Sequence, residues 1–381
     1  MREYVEIGKG REARKAYDLN ALSLVPARRT RSSKDVDTTW NIDAYTFDVP
    51  LCSHPTDALA SPEFVIEMGK QGGLGVLNAE GLLGRHASFA DALSQVVDVA
   101  SANWDDIDEA LKSQYNGTAI LQELHQAKLD MDLLAEHMAR VRDSGATVAV
   151  RVSPQNAREL APLLVKAGAE ILFIQGTIIS AEHVQQGGEP LNLKEFIGSL
   201  DVPVIAGGVF DYSTAMHLMR SGAAGVIVGS GQSNHGMALD VPLATAIADV
   251  AAARRDYLDE TGGRYVHVIA DAPVVSSGQI AVALGVGADA VMLGEALAYA
   301  SEAAGQGAYW ESAIAHPRFP RGEIRTLMAP EQREPLETVL HGPSHDPYAR
   351  MNLVGGLRRI MAKCGYEDAK SFQKVSLTVR N

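Results

Sequence analysis

The sequence predicts a single (β/α)8 barrel, the TIM-barrel architecture, on three observations. A half-unit recurs along the 381 residues: a helical stretch, a Gly-Ala or Gly-Gly break, then a short apolar run ending at glycine or a polar residue. Eight such runs lack the alternation of a half-exposed strand, as expected of strands buried on both faces. Helical patterns separate them, so strand and helix alternate as a closed parallel sheet requires.

The elements follow in order. FDVPLCS places a strand near 48–53, GGLGVLN one near 74–78, TVAVRVS one near 147–152 and AEILFIQG one near 171–175. VPVIAGG, AAGVIVGSG, YVHVIAD and ADAVMLGE place the rest near 202–206, 225–229, 265–270 and 289–293. SPEFVIEMGKQ and SPQNARELAPLLVKAG open on Ser-Pro, an N-cap followed by proline at the first helical position, and close on glycine. A doubly wound sheet would want G-x-G-x-x-G after an early strand; GSGQSNHG follows the sixth run and lacks the third glycine. Residues 79–145 are too long for a crossover and read as a helical insertion, with surface helices in SANWDDIDEALKSQYNG and MDLLAEHMARVRDSG. Residues 301–351, rich in Pro, Gly, Arg and His, read as a long mobile, flap-like segment.

At 46% hydrophobic and 21% charged, the chain can bury a large core. Lys+Arg 34 against Asp+Glu 47 leaves a net charge of −13, which disfavours nucleic acid and anionic membrane surfaces as partners. MREYVEIGKGREARK has no apolar h-region, and the apolar stretch 280–300 carries Asp289, Glu295 and glycines. Neither a secretory signal nor a spanning helix is expected, which points to the cytoplasm. Two cysteines, Cys52 and Cys364, cannot build a disulfide framework or a zinc cluster. Glu182–His183 offers a single histidine, so no metal site is expected. RRTRSS at Arg28 reads as a solvated face.

Barrels place their sites at the C-terminal strand ends, here after Ser53, Asn78, Gln175, Gly207, Gly229, Asp271 and Gly294. His54, beside Thr56 and Asp57, suits a general acid or a hydrogen bond to a base, its ordinary pKa of about 6.5 lying near neutrality. An ordered loop histidine before Pro55 is the plainer reading. Asp271 is either a bidentate acceptor for two hydroxyls or a carboxylate at a helix N-terminus. Ser276, Ser277 and Gly278 can cap a helix and bind an anion. His235 is a catalytic candidate or a solvent-exposed loop histidine.

LSLVPARRTRSSKDVDTTW (22–40) followed by GGLGVLN resembles the opening of the IMP dehydrogenase/GMP reductase family. ADAPVVSSG (270–278), GADAVMLG (287–294) and LVGGLRRIMAKCGY (353–366) are similar to its later signatures. HPTDALASPEF, IQGTIISAEHV, GEPLNLK and ARRDYLDETGGRYVHVIAD resemble its IMP dehydrogenase-related branch in actinobacteria. Residues 79–145 have neither the length nor the pattern of paired CBS modules.

The resemblance implies an oxidoreductase acting at C2 of a purine nucleotide or nucleoside with NAD(P), assembled as a homotetramer. It assigns the ribose hydroxyls to Asp271, and the rest of the substrate to Ser53, Gly229, Gly231, Ser276, Ser277, Gly278, Gly294 and Glu295. It puts the cofactor near Gln175, Gly176, Thr177, Gly207 and Gly208. Three departures bear on the chemistry. Gln175, Gly208 and Ile227 replace the family's acid, Asn and Arg near the nicotinamide. The family's cysteine lies in a Gly-rich loop after strand six, where this chain has Gln232, Ser233, Asn234 and His235, so the covalent route is missing. Ala272–Pro273 removes one N–H, and Glu295 puts an acceptor-only carboxylate where the family has serine. Two unit charges ~4 Å apart at a dielectric near 20 repel by about 4 kcal/mol, so a nucleoside is expected to bind better than a monophosphate. Arg321, Arg325 and His345 lie in the flap-like segment without the family's Arg-Tyr pair. Reductive removal of a 2-amino group needs only acid–base groups and is expected over IMP oxidation. The alternative is a non-catalytic, purine-binding or regulatory paralogue.

Overall fold

A computed structural model of the chain describes residues 3–100, 107–179, 192–232 and 234–380. Eight short parallel strands form the barrel: β1 Leu51–Ser53, β2 Val76–Asn78, β3 Ala149–Val152, β4 Ile171–Gln175, β5 Val204–Val209, β6 Gly225–Gly229, β7 His267–Asp271 and β8 Ala290–Leu293. Each pairs with its sequence neighbour, and β8 pairs with β1. Between β1 and β2 the ring closes through a Cys52–Leu74 bridge, with Ser53 N donating to Leu74 O at 2.9 Å and Leu74 N to Leu51 O at 3.0 Å. This is the (β/α)8 barrel the sequence predicts. β5 outruns its expected end, continuing through Gly207 and Gly208 to Val209.

Helix α1, Pro62–Lys70, starts as its Ser-Pro predicts: Ser61 Oγ accepts from Phe64 N at 3.1 Å. Three helices separate β2 from β3: α2 Phe89–Ala100, α3 Ile107–Leu124 and α4 Met131–Asp143. α2 was not expected, although its buried Ala92, Leu93, Val96 and Val97 recur at helical spacing. α4 buries Leu134, Met138 and Val141 and ties to α1 by an Arg140–Glu63 ion pair. The second Ser-Pro does not cap a helix. α5 begins at Ala157, and Ser153 turns instead to Glu80, its Oγ donating to Glu80 Oε1 at 2.9 Å. Then follow α6 Leu193–Gly198, α7 Tyr212–Arg220, α8 Leu243–Thr261 and α9 Ser277–Gly285. Among the described residues no helix is long and apolar enough to cross a membrane.

The two-residue period of a strand sorts the barrel into an outer face under the helices and an inner one. Cys52, Phe173, Ile205, Ile227, Ile269 and Met292 point inward and pack as one apolar layer. A hairpin, Trp40–Ile42 against Tyr45–Phe47, plugs this layer at the N-terminal end, with the Trp40 and Phe47 ring centroids 5.2 Å apart. The next inward positions are polar above Cys52, Phe173 and Ile269, where His54, Gln175 and Asp271 floor the mouth, and glycine above Ile205, Ile227 and Met292.

Residues 301–351, expected to be mobile, are held down on that mouth. Ala308–Tyr309 pairs antiparallel with Arg325–Thr326, and the Trp310 side chain is buried. Thr56 Oγ1 donates to Trp310 O at 2.5 Å and Ser312 Oγ to Pro55 O at 2.6 Å, so this strap is stapled to the loop after β1.

Phe173 sits at mid-height of the inner layer with 0% exposure. Phe173→Ala should therefore cost about 3–5 kcal/mol in equilibrium urea unfolding, because the closed ring cannot collapse into the space. A loss below about 1 kcal/mol would mean that the inner layer is loosely packed.

Candidate active site

β7 delivers Asp271 to the mouth as its last residue, 3% exposed. A buried carboxylate needs partners for its oxygens. Oδ2 accepts from Gln175 Nε2 at 2.8 Å, and Oδ1 accepts from His54 Nδ1 at 3.3 Å. His54 is itself placed by its backbone N–H, which donates to Leu293 O at 2.8 Å. Burial alone would lower the pKa of this imidazole. The charge and hydrogen bond of Asp271, with Glu311 adding to them, outweigh burial and raise it above the usual histidine value. The stabilisation from this pair is fully present below the ordinary histidine pKa and is lost as pH rises through the raised one.

A belt of polar side chains runs from here across β4, β3 and β2. Gln175 O accepts from Arg151 Nε at 3.0 Å and Nη2 at 2.7 Å. Arg151 Nη1 reaches Asn78 Oδ1 and Glu80 Oε2, each at 3.4 Å. Glu80 also accepts from Ser153 N and Asn156 Nδ2. Within this belt two buried atoms have no partner: the Gln175 Oε1 acceptor and, at the far wall, the Arg321 Nε donor. Both residues line a cavity of about 650 Å³ over β1–β4, floored by His54, Asp271, Gln175 and Ser230 and walled by Arg85, Arg151, His125 and His316. Its size suits a small-molecule ligand, and its lining is mostly polar and charged. A smaller pocket of about 270 Å³, around Asp48 and Gly72, is lined by none of these residues.

The structure thus brings together His54, Asp271, Gln175, Gly176 and Thr177 in one cavity. Other predicted residues are committed elsewhere. The Thr56 hydroxyl serves Trp310 O, and Asp57 accepts from Leu82 N at 2.9 Å and faces His125 Nε2 at 3.2 Å. Neither lines the cavity, because loop packing uses their polar atoms. Ser53 Oγ accepts from Val76 N at 2.9 Å, inside the sheet. Gly207 and Gly208 are clasped by Gly176: Gly176 N donates to Gly207 O at 2.9 Å and Gly208 N to Gly176 O at 3.1 Å. A Cβ at Gly229 would stand 2.2 Å from Asp271 O, so its glycine serves the close approach of two strand ends.

Of the predicted substrate residues over β6–β8, Asp271 lines this cavity, whereas Gly229, Gly231, Ser276, Ser277, Gly278, Gly294 and Glu295 do not. Ser276 caps α9, with Gly278 in its first turn, and Ser277 N donates to Ala349 O at 2.9 Å. Gly294 ends β8 and leads into Glu295. Glu295 does not face the mouth as a bare charge: Arg325 Nη1 donates to its Oε2 at 2.9 Å. The repulsion expected from that carboxylate therefore loses its premise. His235 opens a one-turn helix, His235–Met237, and its side chain is outside the described residues, as are Ser233, Glu182 and His183. Asn78 was expected only as a strand end at the mouth and Arg321 only as a residue of the flap-like segment; Glu80, Arg151 and His125 were not anticipated. One signal was available, the lone charge of Arg151 inside the apolar TVAVRVS run.

A family model described as "IMP dehydrogenase / GMP reductase domain" matches residues 16–319. The chain belongs to the IMP dehydrogenase/GMP reductase family. It is 59% identical to an "uncharacterized oxidoreductase" of Mycolicibacterium smegmatis, over 98% of this chain and 99% of that one. An "uncharacterized oxidoreductase" of Mycobacterium tuberculosis is 57% identical with the same coverage. The crystal structure of an IMP dehydrogenase/GMP reductase-like protein from Corynebacterium glutamicum superposes with a TM-score of 0.92 at 60% identity, covering 99% of this chain and 98% of that one. The inosine-5'-monophosphate dehydrogenase of Methanocaldococcus jannaschii is 23% identical over 95% of this chain and 92% of its own. The chain is thus an oxidoreductase of the IMP dehydrogenase/GMP reductase type.

For a member of this family the two thiols stand in unpromising places. Cys52 is fully buried one layer below the mouth, where burial first and Asp271 second push its thiol far above the usual range. Cys364 follows the helix Leu353–Lys363, and burial raises its thiol too. Iodoacetamide should leave Cys52 of the native protein unlabelled near pH 8, and the Cys52→Ala, Cys364→Ala double variant should keep its turnover within a few fold. Fast native labelling of Cys52, or a loss beyond ~10³-fold, would identify a nucleophile.

Proposed function

We propose that this chain is an NAD(P)-dependent oxidoreductase that reductively removes the 2-amino group of a purine without a cysteine adduct. The observation that carries this reading is the buried His54–Asp271 pair beside Gln175 on the cavity floor. The unpartnered atoms fit the cofactor's chemistry. Gln175 Oε1 can accept from a carboxamide N–H, and Arg321 Nε can donate to a phosphate. When bound, the reduced nicotinamide supplies the hydride.

The chain's own residues move the protons. His54, which the charge of Asp271 keeps protonated to higher pH than a free imidazole, gives a proton to the ring nitrogen next to C2 as the hydride arrives there. C2 becomes tetrahedral, carrying hydrogen and the amino group. A second proton, taken up by that amine, lets it leave as ammonia, and the ring nitrogen returns its proton to His54 as the C2–N double bond re-forms. The purine is reduced by two electrons and the nicotinamide oxidised by two. IMP oxidation would instead need a base to deprotonate water, and a protonated His54 is the wrong form for that. One observation favours a non-catalytic purine binder: the Ser277 N–H is taken by Ala349 O.

The test is a 340 nm assay with NADPH or NADH and guanosine or GMP, with ammonia measured in parallel. kcat/KM should be highest on the acid side and fall as pH rises through the raised His54 pKa. His54→Gln should remove that limb and lower kcat by roughly 10²–10⁴-fold. Purine binding without hydride transfer would leave the non-catalytic reading standing. Calorimetry gives an independent readout of the cofactor: Arg321→Ala should weaken NADP(H) or NAD(H) binding by about tenfold, the scale of one lost charged hydrogen bond. Unchanged affinity would remove Arg321 from the cofactor's site.

A further inference from the structure

Beside the cavity, the half of the mouth over β6, β7 and β8 is filled by the chain itself. The turn after β6 passes through φ +98° at Gly229 and +57° at Gly231. Gly231 N is turned to Asp271 O at 3.2 Å, so the turn presents the Gln232 N–H as a donor for an anion. A carboxylate takes it. Glu311 Oε1 accepts from Gln232 N at 2.7 Å, and Glu311 is 6% exposed. The fit is close: a Cβ at Gly231 would stand 2.2 Å from Glu311 Oε1.

The neighbouring places are taken in the same way. Ser277 N and Oγ donate to Ala349 O at 2.9 and 3.3 Å. The Tyr309 hydroxyl lies over Gly294, 2.0 Å from where a Cβ would stand. Barrels frequently take phosphate on the loops after strands seven and eight. In this chain those loops meet internal groups.

We propose that Glu311 stands in for a ligand's phosphate: its carboxylate occupies the anion seat at Gly231–Gln232 and selects an unphosphorylated purine over the monophosphate. This rests on the purine reading given above. A phosphate arriving at Gln232 N must either expel a buried carboxylate or sit beside it. The first costs Glu311 the Gln232 N–H, and the second sets like charges side by side at low dielectric. A nucleoside or base, entering over β1–β4, meets neither obstacle. A contact that merely latched the strap to the β6 loop would be indifferent to added phosphate.

The experiment uses the full-length protein, Glu311→Gln and Glu311→Ala. Calorimetry measures inosine and IMP on each, and thermal shift measures the response to inorganic phosphate. The wild type should prefer inosine by about tenfold or more, and both variants should lose most of that preference. Phosphate should raise Tm in the variants only. Glu311→Gln keeps an oxygen on Gln232 N without the charge, so a folded variant is at hand even where alanine loosens the strap. Equal affinity of the wild type for the two ligands, or an unchanged preference in the variants, overturns the proposal. If neither purine binds any of the three proteins, the purine reading has failed by itself and the phosphate arm still decides. Stabilisation of the variants alone supports the role of Glu311; an equal response in all three, or none in any, overturns it.

Discussion

The mouth of this barrel is organised around one buried negative charge. Asp271 has 3% exposure, and a carboxylate there is tolerable only while its oxygens are hydrogen-bonded. That requirement recruits Gln175 from β4, three strands away round the ring, and His54 from the loop after β1, two strands away on the other side. Gln175 has its side-chain N–H turned to Asp271 and its backbone carbonyl to Arg151, and its Oε1 is left buried without a partner among the described residues. Charge on β7 thereby dictates the protonation of an imidazole after β1 and the orientation of an amide on β4. Such long-range dependence is what a closed ring of strands makes possible.

Much of the architecture could be read from the sequence, and the reason is periodicity. Strands buried on both faces leave unbroken apolar runs, and glycines mark where they turn. Asp271, Gln175 and His54 were visible as polar ends of those runs, but their meeting was not: His54 and Asp271 are 217 residues apart. Thr56 and Asp57 looked chemical because they neighbour His54, yet their polar atoms answer to local packing. Glu295 looked like a bare charge because Arg325, its partner, arrives from the strap 30 residues on. Glu311 carried no signal, since a single acid in an irregular segment has no period to betray its direction.

The two halves of the mouth have opposite characters. Over β1–β4 a cavity is open and rimmed by Arg85, Arg151 and Arg321. Over β6–β8, Glu311, Tyr309 and Ala349 fill the space from within. One ring of strands supports both, because the loops that differ sit above a core that does not change with them.

The hairpin of Trp40 and Phe47 bears on water rather than on ligands. The barrel interior above it is already a packed apolar layer, so the two rings do not close a channel; they keep the lower side of that layer dry, as its polar mouth cannot.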